Sequence, residues 1–147
     1  MKQDAIISIR GAQQPDGGEN DIIELETEGK YDFSADAIHF DYEESELTGL
    51  TGTHTSFDVS GKVVTLTRSG TVNSNMVFQE GRKHYFAYET PFGAMTMGVD
   101  THSIFSTLDE NGGRLEICYA IDVENARVSK NVFKVQIKTA QRMCING

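Results

Sequence analysis

Apolar and polar residues alternate with a period of two along much of this chain. Ile23, Leu25, Thr27 and Tyr31 alternate with Glu24, Glu26, Glu28 and Lys30. Leu115, Ile117, Tyr119, Ile121 and Val123 repeat the pattern against Glu116, Cys118, Ala120 and Asp122, and Phe133, Val135 and Ile137 against Lys134, Gln136 and Lys138. This is the signature of strands with one face inward and one in water, and helical spacing of apolar residues is almost absent. Strands are predicted near 4–11, 21–33, 36–48, 53–59, 62–69, 75–80, 83–90, 93–99, 101–109, 113–124 and 127–138, some of them merging to leave about eight to ten. Hairpin chemistry separates them: Asp16-Gly17-Gly18, Ser60-Gly61-Lys62, Glu80-Gly81-Arg82, Pro91-Phe92-Gly93 and Asn111-Gly112-Gly113. The order implies an antiparallel meander, and closing it into a barrel removes the exposed edges that invite aggregation. The expected architecture is all-β, a closed meander barrel over 1–138 with a tail at 139–147.

Composition bounds what such a barrel does. With 147 residues, 38% hydrophobic and 24% charged, the chain is long enough to bury a core without disulfides or a structural metal. A formal net charge of −9 repels phosphate backbones and anionic headgroups, so neither nucleic acid nor a membrane is an expected partner. No apolar run reaches the ~20 residues that span a bilayer, and Arg10 interrupts the N-terminal apolar stretch before a signal core forms, which points to the cytoplasm. Cys118 and Cys144 fit no metal-ligand spacing and read as free thiols. Acids crowd between Asp16 and Glu46, whereas Arg127, Lys130, Lys134, Lys138 and Arg142 make the last strand basic. The expectation is that Lys134 and Lys138 lie near Glu24 to Glu28 as the barrel closes.

Candidate chemistry concentrates around Tyr42. If Ile38, Phe40 and Tyr42 point inward, the pleat carries Glu44 and Glu46 inward after them. Buried carboxylates require a cation, and Arg68, in phase with Val64 and Leu66, is the candidate. Tyr88, in phase with Phe86, offers a hydroxyl to the same network. Tyr42, Glu44, Glu46, Arg68 and Tyr88 together form either a polar anchor at one end of a ligand cavity or a purely structural cluster; a twist or bulge near Glu43 would instead return the glutamates to solvent. Carboxylates two apart on a strand are ~6.5 to 7 Å from each other, near the spacing of an inverting glycosidase pair, so a hydrolase using Glu44 and Glu46 is a third reading.

Nothing else resembles an enzyme site. His39, His54, His84 and His102 lack metal-binding spacing, no cofactor motif occurs, and the glycines of Gly49-Leu50-Thr51-Gly52-Thr53 lack the lysine of a phosphate loop. Met76, Met95 and Met97 with Phe78, Phe86, Phe92 and Phe105 are expected as core or as the lining of an adaptable pocket.

The stretch Tyr42-x-Glu44-Ser45-x-Leu47-Thr48-Gly49-x-x-Gly52-Thr53-x-Thr55, followed by Thr67-Arg68-x-Gly70, Met76-x-Phe78-x-x-Gly81, Tyr88-x-Thr90-Pro91-x-Gly93, Thr101 and Gly112-Gly113, resembles the bacterial YwiB-like family. That resemblance implies a small lipocalin-like (calycin) barrel in a cytoplasmic bacterial setting, and it brings no activity, cofactor or catalytic residue. The functional expectation is a non-enzymatic barrel that binds a small amphipathic or anionic ligand. The alternative is an interaction module acting through its outer surface as a homodimer.

Overall fold

The structure, a computed structural model, describes residues 2–15, 17–45 and 50–139. The described residues form strands only: β1 (Lys2–Pro15), β2 (Asp21–Phe33), β3 (Ile38–Glu43), β4 (Thr53–Ser60), β5 (Val63–Gly70), β6 (Ser74–Gln79), β7 (Lys83–Thr90), β8 (Gly93–Ser106), β9 (Gly112–Val123) and β10 (Ala126–Thr139). None of them provides a helix long and apolar enough to cross a membrane. All ten strands belong to one sheet in the order β6-β5-β4-β3-β2-β1-β10-β9-β8-β7. Every ladder is antiparallel, so the chain is a meander whose first and last strands pair, from Ala5↔Thr139 to Pro15↔Ser129.

The sheet bends round until its end strands, β6 and β7, come together. They are joined by a turn, where the Arg82 amide donates to the Gln79 carbonyl at 3.0 Å, and meet again at Asn73 and Glu89, which exchange two main-chain hydrogen bonds of 2.9 Å. Between these ties the ladder is open, and the barrel is nearly rather than fully closed. The Gly81 amide and the Thr101 carbonyl, 2.9 Å apart, add a clasp from the turn to β8.

Alternation produces the core as expected. Ile7, Tyr31, Phe40, Phe57, Val64, Phe78, Val99, Leu115, Ile117, Val135 and Ile137 are buried. Phe40 stacks on Phe57 at 4.7 Å between centroids, Phe57 on Phe133 at 5.5 Å, and Phe78 meets Tyr119 edge-on at 4.9 Å, so aromatic side chains fill the middle of the barrel. Met76, Phe78 and Phe86 belong to this core, but Met95, Phe92 and Phe105 are exposed. Phe92 occupies the β7–β8 turn, and a bulge between Thr101 and Ser103 resets the phase of β8 so that Phe105 lies outside. The same bulge explains why two predicted strands, 93–99 and 101–109, are one: the chain bends there without leaving the ladder. The β9–β10 connection is a two-residue turn in which Glu124 and Asn125 have φ of 51° and 67°, the primed geometry that suits hairpin twist.

The charge expectation needs correction. Basic β10 closes against β1, which stands between it and acidic β2. Arg10 takes Glu24 at 3.1 Å, and Lys134 takes Glu116 of β9 at 3.7 Å. Arg10 and Lys134 each take a carboxylate from an adjacent strand, so Lys134 and Glu24 do not partner one another although both border the same surface hollow.

Candidate functional site

The strand carrying Tyr42 is short because β3 ends at Glu43, where a strand to 48 was expected. Its inner face is nonetheless the one alternation implies: Phe40 and Tyr42 are buried, and Glu44 follows them inward, only 8% exposed. The Glu44 amide donates to the Thr53 carbonyl at 2.9 Å, which carries β-type pairing one residue past the strand. Gly29 stands opposite Tyr42, where a β-carbon would strike the Asp41 carbonyl, the Ile7 side chain and Tyr42 itself. Only glycine lets β2 pass this close.

Register then lines up a row of polar side chains across four strands. Tyr42 of β3 pairs with Thr55 of β4, Thr55 with Arg68 of β5, and Arg68 with Ser74 of β6. Extending the Asn73↔Glu89 bridge by one position sets Tyr88 of β7 opposite Ser74. Thr55 and Ser74 are buried, while Arg68 and Tyr88 are partly covered. Three atoms in adjacent members of this row, Thr55 Oγ1, Arg68 Nε and Ser74 Oγ, are buried with no hydrogen-bond partner among the described residues. Each such group costs about 1 to 3 kcal/mol when desolvated and unpaired, and native interiors seldom leave three neighbours in that condition.

Electrostatics ties further groups to the row. Burial, then the Glu44 carboxylate, raises the Tyr42 pKa, with Arg68 pulling the other way; Glu44 also accepts a hydrogen bond from the Tyr42 hydroxyl. Burial likewise raises Tyr119, again opposed by the positive charge of Arg68. Both phenols therefore stay protonated at neutral pH and remain hydrogen-bond donors.

The structure thus brings together Tyr42, Glu44 and Arg68, with Tyr88 beside them across the β6–β7 seam. Glu46 lies outside the described residues, so the carboxylate pair of the hydrolase reading is not in view. Thr55, Ser74 and Tyr119 were missed. Thr55 was visible as an inward position in phase with Phe57 and Val59, and Tyr119 as one in phase with Ile117. Ser74 was not, because it lay just before the predicted strand.

A second polar cluster lies on the outside of β3 and β4. His39 contacts Asp58 through Nδ1 at 2.7 Å and Asp41 through Nε2 at 2.8 Å, and His54 contacts Glu43 through Nδ1 at 2.5 Å. Among the described residues, no group of three His, Cys, Asp or Glu side chains is arranged to hold a metal ion.

Cavities of about 640 and 490 Å³ are bounded by described residues. Both are lined mainly by outward positions of the long strands, and neither includes Tyr42, Glu44, Arg68 or Tyr88. Cys118, expected as a free thiol, is free and half-buried on the outer face of β9.

Comparison with known proteins agrees with this architecture. A family model described as "Domain of unknown function (DUF1934)" matches residues 7–135. The chain is 32% identical over 124 residues to "Uncharacterized beta-barrel protein YwiB" of Bacillus subtilis (strain 168), covering 84% of this chain and 86% of that protein. It also superimposes on the crystal structure of the ywiB protein from Bacillus subtilis with a TM-score of 0.84 and 26% identity, over 95% of this chain and 93% of the other.

Proposed function

Because this chain belongs to the YwiB-like DUF1934 family of β-barrel proteins, we propose from its own residues that it is a non-catalytic binding protein, taking a small anion at the polar end of its barrel interior. The observation that carries this reading is the row of buried Thr55 Oγ1, Arg68 Nε and Ser74 Oγ, none of which has a hydrogen-bond partner among the described residues. All three can donate a hydrogen bond, and a guanidinium beside two hydroxyls matches a carboxylate or phosphate group. Tyr119, held protonated, adds a neutral donor, while the Tyr42 hydroxyl is engaged by Glu44.

The aromatic stack of Phe40, Phe57 and Phe133 occupies the centre of the barrel. A bulky lipid therefore does not fit this reading, and a compact anion does. Binding would supply partners for groups that have none among the described residues, and that compensation is its driving force.

The test is thermal denaturation with inorganic phosphate and with short-chain carboxylates, comparing the native sequence with Arg68→Ala and Arg68→Lys. The expected result is a concentration-dependent rise in Tm for the native protein, absent in Arg68→Ala and reduced in Arg68→Lys, which keeps the charge but loses the planar fork. Equal shifts in all three proteins, or no shift in any, would overturn the reading. Circular dichroism establishes that each variant is folded.

A further inference from the structure

The outer face of the long strands carries a groove that the interior site does not use. The cavity of about 640 Å³ lies over β1, β10, β9 and β8. In register, outward Ala12 pairs with Val132 and Val132 with Cys118, while Lys130 pairs with Ala120 and Ala120 with Asp100. Outward positions of a barrel ordinarily hold long polar side chains. Here Ala12, Val132, Cys118 and Ala120 form a floor of small apolar groups, and Ala120 is 8% exposed although it faces out.

Two bulges shape the same region. One interrupts β8 between Thr101 and Ser103, the other β10 between Arg127 and Ser129. Bulges bend strands and gather beside functional surfaces, and these two bend neighbouring parts of the wall around one hollow.

The rim supplies the charge. Arg127 is neutralised by Asp100 at 3.0 Å and Asp122 at 3.2 Å. Lys130, which lines the groove, has no carboxylate within ion-pair distance among the described residues. A cation left over above an apolar floor is complementary to an organic anion with a flat apolar body. The volume lies in the range of small-molecule sites, ~300 to 1,000 Å³. We propose that this groove is a second binding site, independent of the interior row, for an amphipathic organic anion whose acidic group meets Lys130 and whose apolar part covers Ala12, Val132, Cys118 and Ala120.

The probe is 1-anilinonaphthalene-8-sulfonate, an anion with an aromatic body, titrated by fluorescence into the folded protein. The expected result is one site per chain, with the Kd raised about tenfold by Ala12→Gln, which fills the floor, and by Lys130→Ala, while Arg68→Ala leaves it unchanged. In a Cys144→Ser background the probe should also slow modification of Cys118 by a thiol reagent. Absence of binding would overturn the proposal. So would binding indifferent to both groove variants, or a dimer in sedimentation that the groove variants dissociate, since a second copy would then be the occupant. Loss of binding in Arg68→Ala alone would assign the probe to the interior row instead.

Discussion

His39 shows how one residue gains a function from its neighbours. A carboxylate only accepts hydrogen bonds, so an imidazole with Asp58 on Nδ1 and Asp41 on Nε2 must carry a proton on both nitrogens to satisfy them. Burial alone would lower its pKa, but the hydrogen bonds and charges of Asp58 and Asp41 together outweigh burial and raise it above 6.5. Asp32 of β2, opposite His39 in register, adds a further negative charge to the same surface. A raised pKa means that the stabilisation is complete below pH 6.5 and is lost as pH rises through the folded-state value. Urea unfolding from pH 6 to pH 9, about the range over which a moderately perturbed imidazole titrates, should show stability falling with pH. His39→Gln should flatten that fall, and a slope unchanged in this variant would show that the imidazolium is not its source.

At the scale of elements, the β6–β7 hairpin departs most from a regular barrel. Main-chain hydrogen bonds tie it at both ends, in the Gln79–Arg82 turn and at the Asn73–Glu89 bridge, yet none joins the strands between them among the described residues. Asn73 and Glu89 direct both of their main-chain groups at each other, so alternate positions Asn75 and Val77 on β6 and Tyr85 and Ala87 on β7 face the same seam. Their amides should exchange with solvent deuterium far faster than those of the β1–β10 ladder, by a factor of about 100 or more. Protection equal to that of β1 and β10 would mean that the seam is closed in solution. Ser74 and Tyr88 sit at one end of it, so the opening runs beside the polar row.

For the whole molecule, the sheet order makes the chain's own termini the least local part of the fold. β1 and β10 pair along most of their length, and that pairing closes a loop of nearly the entire chain. Breaking the chain in the Glu80–Arg82 turn and linking residue 139 to residue 2 would give strands in the order β7, β8, β9, β10, β1 to β6. Every full ladder would then join strands consecutive in the chain. Lower contact order speeds folding, so this permutant should refold faster than the native order in stopped-flow experiments while keeping its circular dichroism spectrum. Slower refolding would show that the β6–β7 turn, with its clasp to Thr101, is part of the folding nucleus.

Alternation with a period of two left open whether Glu44 follows Phe40 and Tyr42 inward, but was enough by itself to define the fold class, most strand positions and the inward phase of Arg68. Each of these follows from the local pleat, which every strand carries in its own residues. Three things depended on the tertiary structure. Bulges at Thr101 and Arg127 shifted phase partway along a strand, which moved Phe105 outside and hollowed the outer groove. Register across four strands brought Thr55 and Ser74 beside Arg68, a juxtaposition that no single strand encodes. Closure through β1 kept basic β10 from acidic β2, because in a sheet each strand's nearest charges are those of its two neighbours, whatever the charge balance of the chain's ends.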